Sequence, residues 1–187
     1  MKYLISSLLV FLLSFTACDL VTESNPPVEN VLNKQLIKLP PRSGLWVENT
    51  FSVTETIDGD KGGEIRLHEQ YVDINGETVK IDAKLKIKKH AFQGVVDITL
   101  TADDEYAAIS FTPAMVFDKP AELDLKFEGI DLGELNLTEG DYDFVFVGDD
   151  GRIEVVEYNA LHVDESKSKI WVTKADLNHF SRYGFVN

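Results

Sequence analysis

The stretch "VKIDAKLKIK" (79–88) limits the possible fold more than any other part of the chain. Val79, Ile81, Ala83, Leu85 and Ile87 alternate with Lys80, Asp82, Lys84, Lys86 and Lys88. Side chains repeat every second residue on a strand and about every 3.6 residues on a helix. Alternation this long therefore builds a strand with one dry and one wet face. The same period returns in "VDITLT", with Val96, Ile98 and Leu100 inward, and in "ELDLKFE", with Leu123, Leu125 and Phe127. It recurs in "DYDFVFV" with Tyr142, Phe144 and Phe146, and more briefly in "RIEVVEY" and "KIWVTK". Asp58-Gly59, Asn75-Gly76, Gly140 and Asp149-Asp150-Gly151 punctuate these runs as turns. Roughly nine or ten short strands separated by such turns predict an all-β fold, an antiparallel β-sandwich.

The chain starts differently. "MKYLISSLLVFLLSFTAC" has a short positive head at Lys2, then an apolar run of twelve residues from Leu4 to Phe15. That run is too short for a permanent bilayer span and suits a secretory signal. The small pair Thr16-Ala17 leads directly into Cys18, with Phe15 where leucine is usual, and the whole resembles a bacterial lipoprotein signal. The resemblance implies a lipidated Cys18 and removal of residues 1–17. Cys18 is the only cysteine, so no internal disulfide staples the fold, and lipidation accounts for an otherwise unpaired thiol in an exported chain. Each buried CH₂ of an acyl chain contributes about 0.8 kcal/mol, so two or more chains hold durably where one does not. The expected location is the bacterial cell envelope, on the inner or outer membrane, with the domain periplasmic or surface-exposed.

Removing residues 1–17 leaves 187 − 17 = 170 residues, with 17 basic against 32 acidic groups, a formal balance of −15. Such a surface repels nucleic acid, which is excluded as a partner. Residues 18–43 carry Pro26-Pro27 and Pro40-Pro41 without a sustained period and are expected to form a flexible tether. Residues 44–187 are expected to be the sandwich domain, large enough to bury a core by packing alone.

Four segments follow in order: Gly62-Gly63 before a strand, "VKIDAKLKIKKHAF", "FTPAMVFDKPAELDLKFEGIDL", and "IWVTKADLNHFSRYGFV". Together they resemble the bacterial relatives of the ZU-five domain, with Lys88-Lys89-His90 in place of that family's proline and glycine. The resemblance implies a β-sandwich that serves as an interaction or spacer module. In some members of that group the His-Phe-Ser motif cleaves itself. By that likeness, Ser181 Oγ would attack the Phe180 carbonyl, an N-to-O acyl shift would form an ester, and water would hydrolyse it, with His179 moving the proton. On an extended strand His179 and Ser181 share a face. The alternative is a packed terminal strand, with Tyr183 and Phe185 on one face and Phe180 and Val186 on the other.

Other motifs are weaker. "DGDKGGEIRLHE" places Asp58, Asp60 and Glu69 at calcium-loop offsets, but Gly62 offers no side-chain oxygen and Arg66 stands where a ligand is needed. A turn between strands is the simpler expectation. "TADDEY" and "GDDGR" are acidic loops expected to be solvated turns. Lys80, Lys84, Lys86 and Lys88 could meet an anionic glycan or lipid; the simpler reading pairs them with Glu122, Asp124 and Glu128 on a neighbouring strand. His68, His90, His162 and His179 have no metal-ligand spacing, and no hydrolase triad, phosphate loop or nucleotide fingerprint is present. Trp46 and Trp171 read as core or sheet-face residues rather than a sugar platform. The sequence thus implies no cofactor and no conventional enzyme. It implies a membrane link through Cys18 and a contact with an envelope protein or glycan.

Overall fold

A computed structural model describes residues 34–44, 51–132, 139–148 and 150–187. Residues 1–17, read above as a signal peptide, Cys18, the first part of the expected tether and Trp46 lie outside these described residues. The alternating runs fold as strands, eleven among the described residues. They are β1 (Ser52–Asp58), β2 (Gly63–Val72), β3 (Thr78–Ile87), β4 (Val95–Ala102), β5 (Ala108–Thr112) and β6 (Val116–Glu128), followed by β7 (Asp143–Val147), β8 (Ile153–Val155), β9 (Ala160–Asp164), β10 (Lys169–His179) and β11 (Arg182–Val186). A six-stranded sheet runs β1-β4-β5-β11-β7-β8, and a five-stranded sheet runs β2-β3-β6-β10-β9. Neighbouring strands pair antiparallel throughout. The fold is an all-β antiparallel sandwich. Among the described residues no helix is long and apolar enough to cross a membrane.

The inward rows follow the period. Val79, Ile81, Ala83, Leu85 and Ile87 of β3 are all buried, as are Leu123, Leu125 and Phe127 of β6 beside them. Ile98, Leu100, Phe144, Tyr183 and Phe185 face them from the other sheet, and Val96 packs at the margin. Phe127 meets Phe185 edge-on at 6.1 Å across the two layers, and Phe144 lies 5.1 Å from Phe185. Such tilted pairs add about 0.5–1.5 kcal/mol each beyond the area they bury.

Two local irregularities shape the five-stranded sheet. Gly62 takes φ +71 where the chain leaves the six-stranded sheet for β2, and a Cβ there would stand 2.4 Å from the Ile87 carbonyl. Only glycine fits. In β10, Val172 and Ala175 both face the core although they are three residues apart. A bulge absorbs the extra residue: Lys174 takes φ 49, and its N–H donates to Asp124 Oδ1 at 3.0 Å.

The near border of the domain differs from the sequence expectation. Residues 34–43 belong to the sandwich rather than to a free tether. Gln35 and Asn187 exchange backbone hydrogen bonds at 3.1 Å, and Ile37 N–H donates to Phe185 at 3.0 Å. On the other side Leu39 N–H donates to Glu105, and Ser43 N–H donates to Val72. Ile37 and Leu39 are buried, and Lys34 Nζ reaches Asp143 at 2.5 Å. This strap wedges between the end of β11 and the residues before β5, then reaches the end of β2 through an Arg42–Asp73 bridge. The Arg42 guanidinium caps Phe51 and Tyr71 at 4.1 and 5.0 Å. Burial pushes the Tyr71 hydroxyl up to about 12, keeping it a neutral donor to the Pro40 carbonyl at 2.7 Å.

Candidate functional site

The His179-Phe180-Ser181 motif forms a corner, not a continuous strand. His179 still pairs with Val116 of β6 in the five-stranded sheet. Two residues later Ser181 accepts a hydrogen bond at 3.0 Å from Phe111 of the six-stranded sheet. His179 and Ser181 therefore belong to different sheets, and the expected shared face does not form. Phe180 lies between the layers, stacked on Phe111 at 4.8 Å and edge-on to Phe117 at 4.6 Å, with its N–H donating to the Met115 carbonyl. Tyr183, almost fully buried, donates its hydroxyl to the His179 carbonyl at 2.5 Å. That leaves its oxygen to accept from His179 Nδ1 at 3.3 Å, which assigns the imidazole proton to Nδ1. Burial raises the Tyr183 hydroxyl well above its ordinary value, so it stays protonated. A tyrosine tying its hydroxyl to backbone a few residues upstream is a recurrent device for pinning a β-sandwich corner.

The calcium-like stretch is split between structural elements. Asp58 ends β1 and pairs with Lys61 at 2.6 Å, while Asp60 lies 3.3 Å from His90. Glu69 is opposite Ile81 in β2, six residues beyond Gly63 and thus about 20 Å along the strand. The three carboxylates are not brought together. Among the described residues no group of three acidic, histidine or cysteine side chains could hold a metal ion.

The outer face of the five-stranded sheet is where polar chemistry concentrates. The lysine stripe of β3 pairs with the acidic row of β6, as the sequence reading anticipated. Lys80 meets Glu128 at 3.2 Å, Lys84 meets Asp124 at 3.4 Å, and Lys88 meets Glu122 at 3.1 Å. Lys88 also reaches Asp176 of β10 at 3.7 Å. The hydrogen bond from Lys88 holds the Glu122 carboxyl below its ordinary range. One row crosses all five strands in register: His68, Asp82, Lys126, Trp171 and His162. Asp82 bridges this row by accepting from His68 Nδ1 and from Lys126. Partial burial works to raise the Asp82 carboxyl, but these two hydrogen bonds and their charges outweigh it and hold it low. At the far end of the row the Trp171 ring is half-buried. His162 stacks on it at 4.8 Å, and the Lys169 ammonium lies 4.4 Å from its centre.

Beside this row runs a second, Arg66, Lys84, Asp124 and Thr173, and a trench of about 370 Å³ separates them. Periodicity gave each residue its face, and charge gave the lysine stripe its acidic partners. Nothing in the sequence marked the joining of His68, Asp82, Lys126 and Trp171. No protein-family model, curated protein or solved structure matches the chain.

Proposed function

We propose that this chain is an exported bacterial lipoprotein in which lipid on Cys18 anchors a non-catalytic, ZU-five-like β-sandwich that acts as an interaction module of the cell envelope. The observation that carries this is the apolar run Leu4–Phe15 ending in Thr16-Ala17-Cys18, the only cysteine. From Cys18 to Lys34, the first described residue, there are 34 − 18 = 16 steps. A flexible coil of that length would average about 20–24 Å, enough to hold the sandwich clear of the headgroups. The strap enters at the end where β11 finishes and β7 starts. The terminal corner and the Asp58–Gly62 turn lie at the opposite end of the sandwich.

The experiment is metabolic labelling with a palmitate analogue. Label is expected on the natural chain and absent from Cys18→Ser; an unlabelled natural chain overturns the anchoring. Self-processing at Phe180-Ser181 is the alternative. With Phe180 packed between the sheets and His179 held by Tyr183, denaturing mass spectrometry of the mature protein is expected to give one intact species. Loss of Ser181–Asn187 would establish cleavage instead. A calcium-binding module is the other alternative; it would show as a melting temperature raised by calcium and restored by chelator.

A further inference from the structure

We infer that the trench on the five-stranded sheet is a binding site for an uncharged or zwitterionic oligosaccharide. This inference rests on the interaction-module reading above and names its site and ligand. The trench crosses β2, β3, β6 and β10 at right angles to the strands. Three inter-strand spacings make it about 14 Å long, the length of a disaccharide or trisaccharide. Its volume of about 370 Å³ is within the usual range for small-ligand sites, roughly 300–1,000 Å³.

One wall alternates donors with an acceptor, His68, Asp82 and Lys126, and the other presents two cations, Arg66 and Lys84, beside the acceptor Asp124. Each carboxylate already touches a cation across the strands, Asp82 with Lys126 and Asp124 with Lys84 at 3.4 Å. A carboxylate only accepts and an ammonium only donates, whereas a sugar hydroxyl does both. Two neighbouring hydroxyls can therefore donate to the carboxylate and accept from the ammonium beside it without breaking the ion pair. Charged polymers fit less well. A polyanion meets Asp82 and Asp124, and a polycation meets Arg66, Lys84 and Lys126. Trp171 closes one end. With His162 and Lys169 against its ring, it offers the ligand an apolar edge rather than an open platform.

The test uses the lipidated mature chain in detergent on an array of neutral, zwitterionic and polyanionic glycans, followed by calorimetric titration of the strongest neutral or zwitterionic ligand. Retention of neutral or zwitterionic oligosaccharides is expected. Asp124→Ala and Trp171→Ala should each weaken binding at least tenfold while the protein still melts cooperatively. Lys80→Ala, on the same face but outside the trench, should bind like the natural chain. No glycan retained, retention of polyanionic glycans alone, or affinity indifferent to Asp124→Ala would each overturn the proposal. If glycans fail while Cys18 still takes palmitate, the lipoprotein stands and only the ligand falls. If glycans bind an unlabelled chain, the reverse holds.

Discussion

Tyr183 and Phe180 supply a physical reason for the spacing His-Phe-Ser-x-Tyr that needs no chemistry at Ser181. Phe180 fills the seam where the sheets meet, and Tyr183 returns four residues to hold the carbonyl before it. Tyr183→Phe keeps the ring and removes both hydrogen bonds of the hydroxyl, to the His179 carbonyl and from His179 Nδ1, so a loss of about 1–3 kcal/mol is expected in urea denaturation. A change near zero would mean that the corner is held by packing alone. Asp82 offers a second test, through pH. Its folded-state pKa lies below 3.8 because of Lys126 and His68, so its stabilising contribution is full above about pH 4 and is lost as pH falls below that. Lys126→Met removes the main partner. The stability gap between the natural chain and this variant should therefore be largest at neutral pH and close below about pH 4. A gap that stays constant down to pH 3 would show that the pair contributes nothing titratable. Much at this scale was legible beforehand. Lysine alternating with isoleucine gave the face of each residue, and the acidic run of β6 gave the partners of the lysine stripe. The corner was not legible, because "DLNHFSRYGFV" also reads as one extended strand and the sequence carries no mark at Phe180 that the sheet changes.

The elements show where periodicity stops being informative. A strand of ten alternating residues such as β3 is determined by its own side chains. The order of strands is not, because any two apolar faces satisfy the same requirement. The strap is the clearest case. "KQLIKLPPRS" contains Pro40-Pro41 and alternates over too few residues to declare a face, so it looks like tether. Its burial depends on β5, β7 and β11, which come 70 to 150 residues later and leave a slot that only an extended backbone fills. A chain beginning at Gly44 loses the buried side chains of Ile37 and Leu39, worth roughly 1.5–3 kcal/mol each, as well as their backbone hydrogen bonds. For a domain of this size each kcal/mol shifts the midpoint by about 2–4 °C, so melting is expected at least about 6 °C lower than for a chain beginning at Lys34. Equal melting of the two chains would return the strap to the tether.

At the scale of the whole molecule, charge opposes the proposed anchor, and this makes the mode of membrane attachment testable. Without residues 1–17 the chain would carry a formal balance of −15, a charge that anionic headgroups repel. The outer face of the five-stranded sheet is locally neutralised by its own ion pairs. Exposed pairs of that kind contribute about 0–1 kcal/mol each and leave no excess of positive charge for a bilayer to attract. On the lipoprotein reading proposed above, attachment would depend on acyl chains at Cys18, whose combined burial in hydrocarbon would exceed anything the protein surface offers. If the chain is anchored in that way, Lys34–Asp143 and the exchange between Gln35 and Asn187 tie the strap to the sandwich against a pull. The natural chain is expected to sediment with vesicles whether they are zwitterionic or rich in anionic lipid. Cys18→Ser, which leaves the sandwich untouched, is expected to remain in the supernatant with both, at low salt as well as at high salt. If the unlipidated chain sediments with anionic vesicles at low salt and is released by high salt, a basic patch on the domain binds the bilayer. Attachment would then no longer rest on the cysteine alone.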